Sequence, residues 1–587
     1  MQRGEGARDD KRRVVELIRS HPPGRVALEH GGRAISYGEL GRLIDERAAA
    51  LCAAGGRAGA FVAVERRKSV EFVVDFLSVL ALGGTVVPID PGTPPARRRT
   101  FLELARPQLL ARGEQIVPLA GDPGRDAPAD GAFVYFTSGS TGVPKPVLGS
   151  ASALRSFVDW FVPEFGVGAG DRFAFMAGVS FEASLRDIFP PLAAGAVLVV
   201  PDDDGSAAPA EAVEWLAREE ISVVTVVPSV ARAWLSDGRT TCPAVRAVFF
   251  VGEPVPADVL TGWRARFPRT SVRVNSYGST EGGQATIYKR LAEEAMDRVP
   301  AGRPVPGTRY CFLDRDARLD ADTVRNALEH GPASGEIVIV SRACSHGYLG
   351  MPDENAARFV ELGDGVTAYR TGDLGRVDED GDLVVIGRVD DEVKINGVRV
   401  HPAEVTRAIR AHPATADAFV IATPGDEPSL TAYVVGDVDV AQLRRDLMDV
   451  LPLAMIPARF VTVPRLPTAR TGKVDRAALV ALAEDGAHAD GFVEPSGDVE
   501  RWLADRFREL LGVERVSARD DLFTLGGDSI TAVRLAARIR DQLGVELTSR
   551  EVFAAGTLAD LAAAIVDRQL LAADPDELLA ALDALEA

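Results

Sequence analysis

A few side chains in this sequence have the chemistry to handle phosphate. The run FVYFTSGSTGVPKPVLGS occupies residues 133–150. A strand-like apolar segment, Phe133 to Phe136, leads into Thr137, Ser138, Gly139, Ser140, Thr141 and Gly142, and then Lys145. Small residues let backbone N–H groups approach phosphate oxygens, hydroxyls donate hydrogen bonds, and a lysine adds charge. The spacing is not that of G-x-x-x-x-G-K-[ST], because Gly139 and Gly142 stand too close to Lys145. Alone, the stretch reads equally well as a flexible surface turn. Three more charged residues sit in glycine-containing contexts: Glu281 in NSYGSTEGG, Asp373 in YRTGDLG and Lys473 in RTGKVDR. Taken singly, these are a solvated acid, a turn cap and an exposed lysine.

The elements that must position such residues are legible in outline. The chain has 587 residues, enough for three or four folding units. Segments 221–229 (ISVVTVVPS) and 244–254 (AVRAVFFVGEP) are short and rich in β-branched and aromatic residues, and a helical pattern follows each. That rhythm predicts buried sheets in an α/β unit. From about residue 390 the elements shorten, as in a small α+β subdomain. Residues 484–498 (EDGAHADGFVEPSGD) read as a linker. Beyond them Val499, Leu503, Phe507 and Leu510 share one helical face, and Thr548 with Glu551 and Thr557 with Asp560 form two capping boxes.

Composition excludes several classes. A formal net charge of −19 argues against nucleic acid or an anionic membrane as partner. Cys52, Cys242, Cys311 and Cys344 are scattered without a CxxC pair, so neither a zinc site nor a disulfide framework is expected. The N-terminal stretch lacks the apolar core of a signal peptide, and no segment reaches bilayer-spanning length; the expected location is cytoplasmic.

The phosphate-type loop has companions in a fixed order: ISYGEL (35–40), LALGGTVVPIDP (80–91), NSYGSTEGG (275–283), YRTGDLG (369–375), GRVDDEVKINGVRV (387–400) and RTGKVDR (470–476). This ordered set, covering about residues 20–480, resembles the adenylation domains of nonribosomal peptide synthetases, within the acyl-adenylate-forming superfamily. DDLFTLGGDSITAVRL (520–535) resembles the phosphopantetheine attachment region of a peptidyl carrier protein. The resemblance implies an α/β multidomain chain. A large adenylation subdomain (1–389) would have stacked α/β sheets and a small barrel-like part. A small mobile α+β subdomain (390–483), a linker (484–497) and a four-helix carrier domain (498–570) would follow. The tail, 571–587, is a candidate docking helix.

The implied reaction joins a carboxylate to the α-phosphate of ATP, releases pyrophosphate, and passes the acyl group to the carrier. Such chemistry needs positioning and charge neutralisation rather than a Ser-His-Asp triad. By motif, Thr137, Ser138, Gly139, Ser140, Thr141, Gly142 and Lys145 would hold the β- and γ-phosphates. Thr280 belongs to the same nucleotide site. Glu281 would bind Mg²⁺, Tyr277 would stack near adenine, Asp373 would accept the ribose hydroxyls, and Arg388 would assist there. Lys473 would bridge the substrate carboxylate and the α-phosphate, and Asp390 would be the hinge. Ser529 would carry 4′-phosphopantetheine. The sequence departs from the family pattern at Pro146, Ser279 and Asn396, where Gly, Pro and Arg are common, and SRACSHGYLG (341–350) is a loose version of its motif.

Aligned specificity positions give a pocket of Phe181, Glu182, Ala183, Arg186, Thr225, Phe249, Val251, Ser276, Gln284 and Ala285. Glu182 stands where α-amino-acid-activating relatives carry Asp, and Arg186 follows four residues later, on the same side if the segment is helical. The pair either neutralises itself or grips the ammonium and distal carboxylate of an amino-dicarboxylic acid, aminoadipate- or glutamate-like. A small polar α-amino acid held by Glu182 is the alternative, and Phe249 would shorten the pocket in either case. Other functions to weigh are an acyl-CoA-type ligase whose carrier serves another enzyme, and a degenerate scaffold. Expected partners are a phosphopantetheinyl transferase, downstream condensation, tailoring or transferase proteins, and, as in some relatives, a small activator protein.

Overall fold

The computed structural model describes residues 3–119, 126–139, 142–202, 208–236, 240–292, 299–390, 392–423, 428–467, 474–485, 492–522, 525–527 and 529–572. It divides into two compact units, residues 1–205 with 210–401, and residues 206–209 with 402–587.

Among the described residues, the first unit contains two large sheets. The nine-stranded sheet runs Arg303–Pro304, Gly283–Arg290, Val272–Ser279, Ala247–Val251, Val223–Val226, Arg172–Ala174, Val197–Val199, Val26–His30, Arg33–Ser36. The six-stranded sheet runs Gln115–Pro118, Leu109–Arg112, Phe61–Glu65, Thr85–Ile89, Gly131–Thr137, Lys145–Ser150. The two expected strands are Val223–Val226 and Ala247–Val251, parallel neighbours buried throughout and followed by helices Pro228–Ser236 and Ala257–Arg266. Burial of both faces makes their apolar runs continuous rather than alternating.

Helix Val70–Leu82 shows how both sheets are held. Ser69 opens it by accepting the Phe72 amide at 3.1 Å, and Gly83, at φ +84°, closes it. Its buried side chains share one cluster with Leu185 and Ile188 of helix Ser184–Ala194, with Val62 and Phe133 of one sheet, and with Leu28 and Phe249 of the other. The same logic explains ISYGEL. Ser36 caps helix Tyr37–Ala53 by accepting the Glu39 amide, while the Tyr37 hydroxyl donates to the Ala196 carbonyl at 2.8 Å.

A third, five-stranded sheet is the expected barrel-like part: Thr308–Leu313, Ser334–Ser341, Val366–Val377 and Phe359–Gly363 in order, with Leu383–Arg388 also paired to Val366–Val377. Its register sets Asp373 directly opposite Arg388. A two-stranded hairpin follows, Val393–Ile395 with Val398–Val400. Its turn residues, Asn396 and Gly397, both have positive φ (+49° and +76°). Asn-Gly is the preferred pair for a turn of that kind, so Asn396 serves the hairpin.

The second unit contains a three-stranded sheet, Asp417–Thr423, Ser429–Val435 and Arg459–Thr462, with helices Pro402–Arg410 and Val440–Met448. Helix Arg476–Asp485 follows, and after it come Gly497–Leu511, Ser529–Leu543, Ser549–Ala554 and Leu558–Ala572. Leu503 and Phe507 are buried, and both expected capping boxes form. Val493, near the end of the expected linker, is tied to the carrier region through Ser517 Oγ and the Ala518 amide. Residues 573–587 of the expected docking tail lie outside the described residues. Among the described residues no helix is long and apolar enough to cross a membrane.

Candidate active site

The phosphate-type loop joins two antiparallel strands, with Thr137 opposite Lys145 and Phe136 opposite Pro146. A Cβ on Gly139 would lie 2.1 Å from the Val143 carbonyl oxygen, so only glycine fits there. Ser140 and Thr141 lie outside the described residues. The Pro146 carbonyl accepts the Leu349 amide at 2.8 Å. Its nitrogen, which has no hydrogen to give, therefore faces segment 346–349, and the ladder to Phe136 loses nothing. Lys145 is buried, with its ammonium 5.1 Å from the centre of the Tyr348 ring. Burial, then the nearby Arg358, hold its pKa below the usual lysine value.

Glu281 is not a surface acid: it is 1% exposed. Its Oε1 accepts the hydroxyls of Thr137 (3.2 Å) and Tyr348 (3.1 Å), and its Oε2 accepts from Arg399 Nη1 at 2.9 Å. Burial alone would raise its pKa, but Arg399 and the hydroxyl donors more than offset this and hold the carboxyl below its usual range. Arg399 is also paired with Glu392.

Asp373 is likewise built in. It accepts the Tyr277 hydroxyl at 2.5 Å and pairs with Arg388. Arg388 continues to Asp390 (2.7 Å) and Glu392 (3.3 Å), and Asp390 also reaches Arg358 (3.4 Å). Burial opposes ionisation of Asp390, yet its arginine neighbours bring its pKa down to about 2. Thr280 occupies the turn between strands Val272–Ser279 and Gly283–Arg290, next to Glu281. Lys473 lies outside the described residues.

The donors at Glu281 suit a hard divalent cation: carboxylate and hydroxyl oxygens, with a positive guanidinium already accommodated against Oε2. No cluster of three or more His, Cys, Asp or Glu among the described residues could hold a metal alone. A cation shared between one carboxylate and substrate phosphates needs no such cluster.

The acid pocket is different. Helix Ser184–Ala194 begins after Ala183, so Glu182 precedes it and Arg186 lies in its first turn. Both side chains are buried, and Arg186 Nη1 donates to Ser276 Oγ at 3.2 Å. The Glu182 carboxylate has no hydrogen bond or ion pair among the described residues. Burial raises its pKa, with Arg186 opposing, and burial lowers that of Arg186. Arg186 lines a cavity of about 10 Å³, roughly room for one water. Of the expected pocket residues, Arg186, Thr225, Phe249, Ser276 and Ala285 line it. Glu182, Ala183, Val251 and Gln284 lie outside that lining, and Phe181 is 45% exposed.

Sequence reasoning missed the rest of the wall: Phe157, Trp160, Phe161, Phe165, Val274 and Tyr288. The signal was present in the aromatic spacing of helix Ala151–Glu164, where residues 157, 160 and 161 fall on one face. Arg186 Nε, both amide atoms of Gln284 and Trp160 Nε1 are buried without hydrogen-bond partners. Two further residues went unassigned, Tyr348 and Arg399, both of which touch Glu281.

In the second unit, Ser529 is the first residue of helix Ser529–Leu543. Two residues earlier, a Cβ on Gly527 would lie 2.7 Å from the Leu522 carbonyl oxygen.

Residues 16–349 match the family model of AMP-binding enzymes, and residues 501–565 match that of the phosphopantetheine attachment site. An isonitrile lipopeptide synthase of Streptomyces coeruleorubidus is 35% identical over 94% of this chain and 40% of its own length. Tyrocidine synthase 3 of Brevibacillus parabrevis is 31% identical over 92% of this chain and 9% of its own. The chain thus spans two-fifths or less of these relatives. Among solved structures, holo-PA1221, described as an NRPS protein containing adenylation and PCP domains, superposes with a TM-score of 0.73. That match covers 93% of this chain and 97% of the other at 24% identity, a likeness of fold. The chain therefore belongs to the AMP-binding enzyme family, with a phosphopantetheine attachment region following the AMP-binding region, and it has the fold of an adenylation domain joined to a carrier domain.

Proposed function

We propose that this didomain activates a short amino-dicarboxylic acid with ATP and loads it onto its own carrier at Ser529. The observation that carries the substrate reading is a buried Glu182 without hydrogen bond or ion pair, beside an Arg186 whose Nε has no partner and which lines a cavity walled by aromatic rings. A buried polar group without a partner costs about 1–3 kcal/mol, and a charged one more. A ligand bringing an ammonium for Glu182 and a carboxylate for Arg186 would recover that cost. The rings of Phe161 and Phe165, 4.6 and 4.8 Å from Phe249, favour the shorter, glutamate-like members of the class.

In this reading Thr137, Ser138 and Lys145 bind the phosphates that leave as pyrophosphate, and Asp373 orients the ribose, itself held by Arg388 and Tyr277. Glu281 and Thr137 would hold Mg²⁺, which when bound neutralises phosphate charge. Lys473 stabilises charge where carboxylate meets α-phosphate, and Asp390 is the hinge of the small subdomain. The phosphopantetheine arm, once attached to Ser529, supplies the thiol that takes the acyl group. A carrier domain implies a phosphopantetheinyl transferase and downstream partners. We assign to those partners condensation, tailoring or transferase activity.

The test is ATP–pyrophosphate exchange over a panel containing aspartate, glutamate, aminoadipate and neutral amino acids, with S529A assayed for self-loading. Exchange strongest with a dicarboxylic member, and self-loading lost in S529A while exchange persists, are expected. Strong preference for a neutral amino acid would remove the Glu182–Arg186 clamp. It would favour the second reading, a small polar α-amino acid held through Glu182. Equal loading of free coenzyme A would remove self-loading.

A further inference from the structure

The cavity beside Arg186 has a volume of about 10 Å³, so as it stands it takes a water but no amino-acid side chain. Binding an acid there requires part of the wall to move. The wall is close-packed aromatic surface, and a ring can leave it only where there is space to receive the ring. Phe161 and Phe165 have none. Both are buried, both lie against Phe249 (4.6 and 4.8 Å between ring centres), and the Arg290 guanidinium covers Phe165 at 4.9 Å. Phe157 is buried against Phe161 at 5.2 Å. Tyr288 is half-buried but tied, because its hydroxyl donates to Glu164 Oε1 at 3.1 Å.

Trp160 differs from all of these. It is half-buried, and it lines both this cavity and an open outer groove of about 620 Å³. Pro163 and Pro306 line the groove with it. The two acids of the groove, Asp159 and Glu164, are already paired with Arg155 at 2.7 Å and Arg290 at 2.9 Å. An indole ring entering the groove therefore meets apolar proline surface and breaks no ion pair. Nor does a hydrogen bond hold it back: Trp160 Nε1 is buried without a partner among the described residues, and turning outward lets that N–H reach water. We propose that Trp160 is the movable wall of the acid pocket. It turns into the outer groove as the acid enters, and its bulk sets the length of side chain that the pocket accepts. This rests on the reading of the cavity as the acid pocket. Truncating Trp160 joins the cavity to the groove and gives a longer chain somewhere to go.

The test uses the full chain and two homologous series of acids. One is aspartate, glutamate, 2-aminoadipate and 2-aminopimelate; the other is norvaline, norleucine and 2-aminooctanoate. ATP–pyrophosphate exchange gives kcat/KM for each acid with wild type, W160F and W160A. In W160A the ratio of kcat/KM for the longest acid to that for the shorter ones should rise about ten-fold, the scale of accommodating one further methylene. W160F should move the ratio less, in the same direction. Tryptophan emission is recorded while the preferred acid is added. Wild type should shift to longer wavelength as the indole leaves its place between the rings, and W160F should lose that shift. Unchanged length preference in both variants, or parallel losses for every acid, would overturn the role of Trp160, and so would an emission shift that W160F keeps. Should W160A fail to fold, W160F and the emission measurement decide. Preference for the neutral series would remove the Glu182–Arg186 clamp, while the length shift read in that series still decides on the wall. Exchange with no acid at all would overturn the activation reading, and an emission shift lost in W160F would leave the movable wall standing.

Discussion

The nucleotide site and the acid pocket lie in one compact unit, yet they treat polar groups in opposite ways. Around the nucleotide site every acid named above is paired: Glu281 with Arg399, Asp373 with Arg388 and Tyr277, Asp390 with two arginines. In the acid pocket, Arg186 Nε, the Gln284 amide and Trp160 Nε1 are left open, and Glu182 meets no donor. A paired network keeps its shape without ligand, which suits a nucleotide common to the whole family. Open valences make a pocket that discriminates, because a ligand lacking the matching groups leaves them unsatisfied.

The comparison breaks most visibly at Glu281. E281Q removes a charge from the paired side, and ATP–pyrophosphate exchange should fall about 100- to 1,000-fold, the scale of losing one preorganised electrostatic group. A loss of a few-fold would return Glu281 to a structural role. On the open side, R186L should cost about 100-fold in kcat/KM for the preferred dicarboxylic acid while neutral acids change little, since it removes one partner of a charge. Parallel losses for all acids would mean that Arg186 only shapes the wall. Q284M sharpens the contrast. It replaces an amide whose two polar atoms are unpaired, so the ligand-free protein should gain about 1 kcal/mol in thermal or denaturant unfolding while KM for the substrate rises. Destabilisation would show that Gln284 is satisfied.

The two regions were unequally legible in the sequence, and the reason is distance along the chain. The phosphate loop and the capping boxes at Thr548 and Thr557 are local, each specified within a few residues. The Glu281–Arg399 pair joins positions 118 residues apart, and nothing in either segment announces the other. The aromatic wall failed differently. Phe157, Trp160 and Phe161 show the helical spacing of any core-facing stripe, and only the fold places that stripe against Arg186 rather than against a closed core. Pro146 looked like a fault in the loop, and the strand pairing shows why it is none.

The two regions also differ in how they respond to pH. Asp390, on the paired side, has its pKa brought down from 3.8 to about 2. Between those values the unfolded chain holds a proton that the folded one does not. Asp390 therefore contributes stability that is complete above about pH 4 and disappears as pH falls through 2, about 2 kcal/mol in all. Asp187, beside the pocket, is the opposite case. Burial raises its pKa to about 6 despite hydrogen bonds from the Ala177 and Met176 amides. Between pH 4 and 6 the folded chain holds the extra proton, so this acid makes stability fall as pH rises. In denaturant unfolding followed against pH, D390N should flatten the limb below pH 4 and leave the limb from 4 to 6 intact, and D187N should do the converse. If either variant flattened both limbs, the two regions would be one coupled network, and the contrast between paired and open sites would not hold.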